Sequence, residues 1–133
     1  MAITAVHHVA LIVSDYERSK EFYVDKLGFQ IVRENFREDR QDYKLDLALD
    51  GVELEIFAPA ERDGNHSLHP QRPSFPEAYG LRHLAFKVTD IEETAAELRA
   101  KGISLEPIRV DEFSGGKFTF FQDPDGLPLE LHE

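Results

Sequence analysis

Apolar and polar positions alternate over two adjacent stretches of the chain. Tyr43, Leu45, Leu47 and Leu49 are interleaved with polar Lys44 and Asp46, and Val52, Leu54 and Ile56 with Glu53 and Glu55. A period of two predicts half-buried strands. Asp50-Gly51 between them is a two-residue hairpin signal. Upstream, His8 to Val13 is rich in β-formers and predicts a strand. Ser14 and Asp15 are N-cap residues, with Glu17 close behind. Tyr16, Phe22, Tyr23 and Leu27 then recur at near-helical spacing until Gly28 stops the helix. Phe29 to Glu34 resumes as a strand. The predicted order is β-α-β-β-β.

The same order recurs downstream. Leu81 to Val88 predicts a strand, and Thr89 or Asp90 caps a helix carried by Ile91, Ala95 and Leu98 and closed by Gly102. Ile103 to Val110 and Lys117 to Gln122 predict two more strands, separated by the Ser114-Gly115-Gly116 turn. Asp125-Gly126 is a second tight turn before a last strand, Leu127 to Leu131. Shifting the chain by 75 residues aligns it with itself, His8 on His83 and Asp50-Gly51-Val52-Glu53-Leu54-Glu55 on Asp125-Gly126-Leu127-Pro128-Leu129-Glu130. The stretch from Pro59 to Gly80, with Pro70, Pro73 and Pro76 inside it, predicts a linker or site-covering loop without regular structure. The expectation is one domain, residues 1–133, made of two βαβββ modules at about 5–58 and 80–133.

Composition narrows the partners. The chain has 133 residues, a formal charge of -11 and no cysteine. The charge argues against a nucleic-acid partner, which needs clustered Lys and Arg. The missing cysteine excludes disulfides, thiolate metal sites and a Cys nucleophile. No apolar run approaches the roughly 20 residues that cross a bilayer. Met1 to Val6 has neither a basic stretch nor a cleavage pattern. A cytoplasmic protein with a small-molecule substrate is the expectation, with no nucleic acid and no membrane.

The repeat singles out four residues. Each half separates a His from a Glu by 47 positions, His8 from Glu55 and His83 from Glu130. A lone His at the head of a strand is usually a hydrogen-bonded surface residue, and a Glu between apolar residues usually faces solvent. A solvated face has no reason to repeat one pair and drop its neighbours, yet Glu53 falls on Pro128 and His7 on Arg82. Two neutral imidazoles and two carboxylates balance one divalent cation, with zinc, nickel, iron, manganese and cobalt all suited to such donors. His8, Glu55, His83 and Glu130 are therefore the candidate metal ligands.

The sequence resembles the vicinal oxygen chelate superfamily, the glyoxalase/bleomycin resistance/dioxygenase group. The resemblance spans the chain through His7-His8-Val9-Ala10-Leu11, Phe22-Tyr23 to Leu27-Gly28-Phe29, Leu54-Glu55-Ile56-Phe57, Arg82-His83-Leu84-Ala85-Phe86 and Asp123-Pro124-Asp125-Gly126 through Glu130. It implies an α+β fold in which two βαβββ modules form an incomplete mixed β-barrel with helices outside. It places the four candidates on the family's metal positions. A His, Glu, His, Glu set resembles bacterial-type glyoxalase I, lactoylglutathione lyase, with zinc or nickel as the first choice of ion. Extradiol dioxygenases and fosfomycin-modifying enzymes use two His and one Glu instead, and a binding module that sequesters a ligand without chemistry is a third possibility. The glyoxalase I resemblance implies a hemithioacetal substrate offering two adjacent oxygens, Glu130 as the proton-moving base with Glu55 as partner carboxylate, and a homodimer.

Two positions depart from the glutathione-using pattern. Ile12 stands where those enzymes have an Arg, and Pro59 where they have an Asn, both glutathione anchors, so the substrate can carry another thiol or none. His66 and His69 read as solvated loop residues, His7 and His132 as bystanders, and Arg72, Arg82, Arg109 and Lys117 as surface cations. Phe118, Phe120 and Phe121 read as core or pocket wall.

Overall fold

The computed structural model describes residues 2–60, 69–70 and 75–133, so His66 and Arg72 lie outside it. The chain divides into two compact units, Met1–His69 and Pro70–Glu133. The first contains strand β1 (His8–Ile12), helix α1 (Tyr16–Lys20), and strands β2 (Gln30–Arg37), β3 (Asp42–Leu49) and β4 (Val52–Pro59). The second contains β5 (Leu84–Lys87), α2 (Ile91–Ala100), β6 (Arg109–Val110), β7 (Lys117–Gln122) and β8 (Pro128–His132). Each unit builds one open four-stranded sheet with the same connections, β1-β4-β3-β2 and β5-β8-β7-β6. The outer pairs β1–β4 and β5–β8 are parallel and the rest antiparallel, so both sheets are mixed and the fold is α+β.

The helices start where their caps predict. Asp15 accepts from the Arg18 N–H at 3.1 Å, and Asp90 from the Glu93 N–H at 3.1 Å. Beyond α1 the helix widens into a π-helical stretch, Glu21–Lys26, in place of the regular helix expected up to Gly28. Leu27 N–H reaches back to Phe22 O at 3.0 Å and Phe29 N–H to Tyr23 O at 3.0 Å. The wider turn seats Phe22 and Tyr23 side by side in the core, with ring centroids 5.1 Å apart. Leu45, Leu47, Leu54 and Ile56, the inward positions of β3 and β4, are buried as well. In the second unit Ile91, Ala95 and Leu98 are buried along with Phe121, Leu129 and Leu131.

Three expectations need correction. Leu81 is 73% exposed and strand β5 begins only at Leu84. Of the strand expected over Ile103 to Val110, only Arg109–Val110 is regular. Pro107 brings no N–H to a ladder, and the segment is held by separate bonds, Glu106 N–H to Phe120 O at 3.0 Å and Thr119 Oγ1 to Glu106 O at 2.6 Å. Strand β2 runs on to Arg37 and carries a register shift between Ile31 and Arg33. That shift matters for the site. Ile31 lies opposite inward-facing Leu47, so strict alternation would turn Arg33 inward as well. The extra residue, Val32, instead puts Arg33 opposite Asp46 on the open face.

Candidate metal centre

Register brings each His to its Glu in the same way. In the first unit Ala10 lies directly across from Glu55, and His8 is two residues earlier on the same face of β1. In the second, Ala85 lies across from Glu130, and His83 is two residues earlier. The small methyl of alanine leaves the space in front of each carboxylate open, so the imidazole reaches it on the diagonal. His8 Nε2 is 3.2 Å from Glu55 Oε2, and His83 Nε2 is 2.9 Å from Glu130 Oε2. The paired motifs are His8-Val9-Ala10 and His83-Leu84-Ala85. The alanines are the part of this signal that sequence reading missed.

The donor chemistry fits a divalent ion. Two ligands held at about 2.1 Å at right angles lie about 3.0 Å apart, and both pairs have that spacing. One imidazole nitrogen and one carboxylate oxygen per unit give each half the same two borderline-to-hard donors.

The surroundings of the two pairs differ. Asp46 lies across from Glu55 in the β3–β4 ladder, and Lys44 is two residues earlier on that face. Lys44 Nζ is 2.7 Å from Asp46 Oδ1 and 3.4 Å from Glu55 Oε1. Arg33 Nε donates to Asp46 Oδ2 at 3.0 Å. Asp46 is 1% exposed. Burial pushes its carboxyl up, but the hydrogen bonds from Lys44 and Arg33 outweigh that and hold it below the usual range. The Lys44 ammonium is raised by its bond to Asp46. In the second unit the same register positions are aromatic. Phe120 lies across from Glu130, and Phe118 occupies the place of Lys44. The Phe120 ring meets the His83 ring edge-on at 5.0 Å. Thus Glu55 is tethered through Oε1, while Glu130, among the described residues, has His83 as its one ion-pair partner.

The Asp46 environment predicts an acid-sensitive contribution to stability. A depressed folded pKa stabilises the fold above the unfolded value of 3.8, and the gain is lost as pH falls through the folded value. Asp46→Asn should cost about 1–3 kcal/mol at pH 7. The gap from wild type should narrow between pH 7 and a pH below 3.8, as pH falls through the depressed folded value. Urea denaturation at both pH values reads it, and a gap that persists in acid would refute the assignment.

The other sequence candidates fall elsewhere. His7 Nδ1 lies 2.9 Å from His8 Nδ1, which fixes the His8 ring from behind, and His7 Nε2 lies 3.7 Å from Glu53. His132 Nδ1 is 2.6 Å from Glu133 O, and its ring stacks on Phe118. Arg82 pairs with Glu77, Arg109 with Glu106 and Lys117 with Glu92. Asp90, Glu92 and Glu133 also bring three carboxylates together. That cluster is accounted for by the start of α2. Asp90 caps it, Glu133 Oε2 accepts from Ile91 N–H at 3.0 Å, and Lys117 answers Glu92.

A pocket of about 660 Å³ opens in the first unit on the same sheet face as the His8–Glu55 pair. Ile12, Phe57 and Pro59 form its apolar wall, and Arg37, Arg40 and His69 lie on its lining. No helix among the described residues is long and apolar enough to cross a membrane.

Comparison with known proteins gives a consistent picture. Residues 5–131 match the family model of the Glyoxalase/Bleomycin resistance protein/Dioxygenase superfamily. The uncharacterized protein YwkD of Bacillus subtilis is 52% identical, covering 100% of this chain and 99% of its own. Lactoylglutathione lyase of Haemophilus influenzae is 32% identical over 95% of this chain and 90% of its own. The crystal structure of a glyoxalase family protein from Enterococcus faecalis superposes with a TM-score of 0.88 at 56% identity, over 100% of both chains.

Proposed function

This chain belongs to the glyoxalase/bleomycin resistance/dioxygenase superfamily, and on that premise we propose that it is a metal-dependent lyase or isomerase of the glyoxalase I type. The carrying observation is the His–Glu pair repeated at the same register in both sheets, at 3.2 and 2.9 Å. His8, Glu55, His83 and Glu130 are the proposed ligands of one divalent ion, zinc or nickel first, then iron, manganese or cobalt. Each pair supplies two donors where such an ion takes four to six ligands, so one pair alone falls short; residues 1–133 are proposed as one domain of two modules. The cytoplasm is the proposed setting, and a homodimer the proposed assembly. The likeness to lactoylglutathione lyase supports the choice of reaction.

When bound, the ion supplies Lewis-acid stabilisation of charge on two neighbouring substrate oxygens. The protein's own groups do the rest. His8 and His83 present Nε2 and hold their rings against His7 and Phe120 respectively. Lys44 fixes Glu55 through Oε1. Glu130, on a mostly buried strand, takes the proton from the carbon beside the substrate carbonyl and returns it to the adjacent carbon.

The test is turnover of methylglyoxal with a panel of thiols, and of 2-hydroxyketones without thiol, before and after chelation. Activity that falls with chelation and returns with zinc or nickel is expected. Equal activity with and without the ion would sink the reading.

A second reading, a two-His-one-Glu enzyme such as a dioxygenase or thiol-transfer resistance enzyme, is favoured by one observation. Lys44 engages the Glu55 carboxylate and could divert it from the ion. Glu55→Gln separates the two. The four-ligand reading expects about 10-fold or greater weakening of metal binding, whereas the three-ligand reading expects full retention. Equilibrium dialysis against a competing chelator measures the difference.

A further inference from the structure

We propose that the pocket beside the His8–Glu55 pair is a recognition site for the anionic end of a small organic acid with an apolar stem. Its lining separates into two parts. Ile12, Phe57 and Pro59 offer hydrocarbon, and Ile12 is 60% exposed, an apolar side chain on an open sheet face. The end of β2 and the loop that follows it supply the cations. Arg37 is already neutralised, with two bonds of 2.7 Å to Asp42, and its guanidinium lies over the Phe57 ring at 4.8 Å. Arg40 is different. Its carboxylate neighbour is Asp39 at 3.9 Å, with both side chains more than two-thirds exposed. Such a contact leaves the guanidinium donors available. Arg37 and Arg40 stand on the pocket lining with Asp42, while Asp39, beside Arg40, and Glu38 are not among the lining residues. The loop is held in place for this role. Gln41 adopts a left-handed backbone at φ 51°, its Nε2 donates to Glu38 O at 2.8 Å, and its carbonyl accepts from Ala60 N–H at 3.0 Å.

The spacing sets the ligand's length. Ile12 is four residues from His8 along one strand face, about 13 Å at strand rise, and Phe57 is two residues from Glu55, about 7 Å. A molecule reaching from the pair to Arg40 would have an apolar middle section and a terminal carboxylate or phosphate, chemistry that Arg receives through paired N–H donors. Only the position of the ligand's reacting end rests on the proposed metal site.

The experiment uses the full chain stripped of metal, so its outcome does not depend on the ion. 3-Phenylpropionate, phenyl phosphate and the neutral amide 3-phenylpropanamide are titrated and followed by amide NMR shifts. The acids should bind at least about 10-fold more tightly than the amide, with shifts centred on residues 10–12, 37–42 and 57–60. Tighter phosphate points to a phosphate monoester as the natural group, and tighter carboxylate to a carboxylic acid. Arg40→Gln should bring acid and amide to equal affinity while leaving the spectrum of the fold unchanged. Equal affinity in the wild type, an unchanged preference in Arg40→Gln, or shifts confined to other surfaces would each overturn the proposal. Metal binding that survives His8→Ala at full occupancy, with this preference intact, would instead count against the metal site alone.

Discussion

His83→Ala is expected to lower affinity for zinc or nickel by at least about 100-fold. Supporting residues one layer out from a metal already change affinity 10- to 100-fold, and His83 is proposed as a direct ligand. Its removal leaves Glu130 without an ion-pair partner among the described residues and takes one of two nitrogen donors from the set. His83 sits just before β5 rather than within it, so the sheet ladder keeps its hydrogen bonds and the variant should melt close to wild type. His8→Ala should fall by a similar factor, because His8 meets Glu55 by the same diagonal. Competition with a chromophoric chelator reads both affinities. Full occupancy in either variant would remove that residue from the site. An unequal loss would mean that the two halves hold the ion unequally, as expected if Lys44 draws Glu55 away.

Much of the fold was readable because local chemistry and global packing agree. Leu45 and Leu47, then Leu54 and Ile56, alternate in sequence and are buried in fact. Asp50 and Gly51 both take positive φ, 46° and 87°, as a type I′ hairpin turn requires. The unreadable parts depend on partners distant in sequence. The π-helical stretch at Glu21–Lys26 serves a core that holds Phe22 and Tyr23 together. The register shift at Val32 is written in no local propensity, since its use is to set Arg33 against Asp46 from another strand. The His and Glu candidates were legible because the chain repeats them. Lys44 and Asp46 were not, because the repeat breaks there. As polar members of an alternating strand they read as solvent-facing, yet Asp46 is buried and Lys44 bridges it to Glu55.

That broken symmetry leads to the second large effect. Glu130→Gln should reduce turnover by about 10²–10⁴-fold, the range for loss of a positioned proton-transfer group. Equivalent sequence positions give the two glutamates opposite settings. Glu55 lies across from Asp46 and pairs with the Lys44 ammonium, which holds its carboxylate in place. Glu130 lies across from Phe120 and is 90% shielded from solvent, with an imidazole as its sole ion-pair partner among the described residues. No Lys or Arg among the described residues ties that carboxylate down, so the proposed ion and His83 are what it has to move between. Gln keeps the shape and one donor oxygen but cannot take up a proton, so metal content should fall far less than turnover. Deuterium exchange at the carbon beside the substrate carbonyl separates the steps. Glu130→Gln should abolish exchange, while Lys44→Met, which frees Glu55, should leave exchange measurable and shift metal affinity. If exchange survives in Glu130→Gln and disappears in Glu55→Gln, the roles of the two carboxylates are reversed and the aromatic setting of Glu130 serves binding rather than proton transfer.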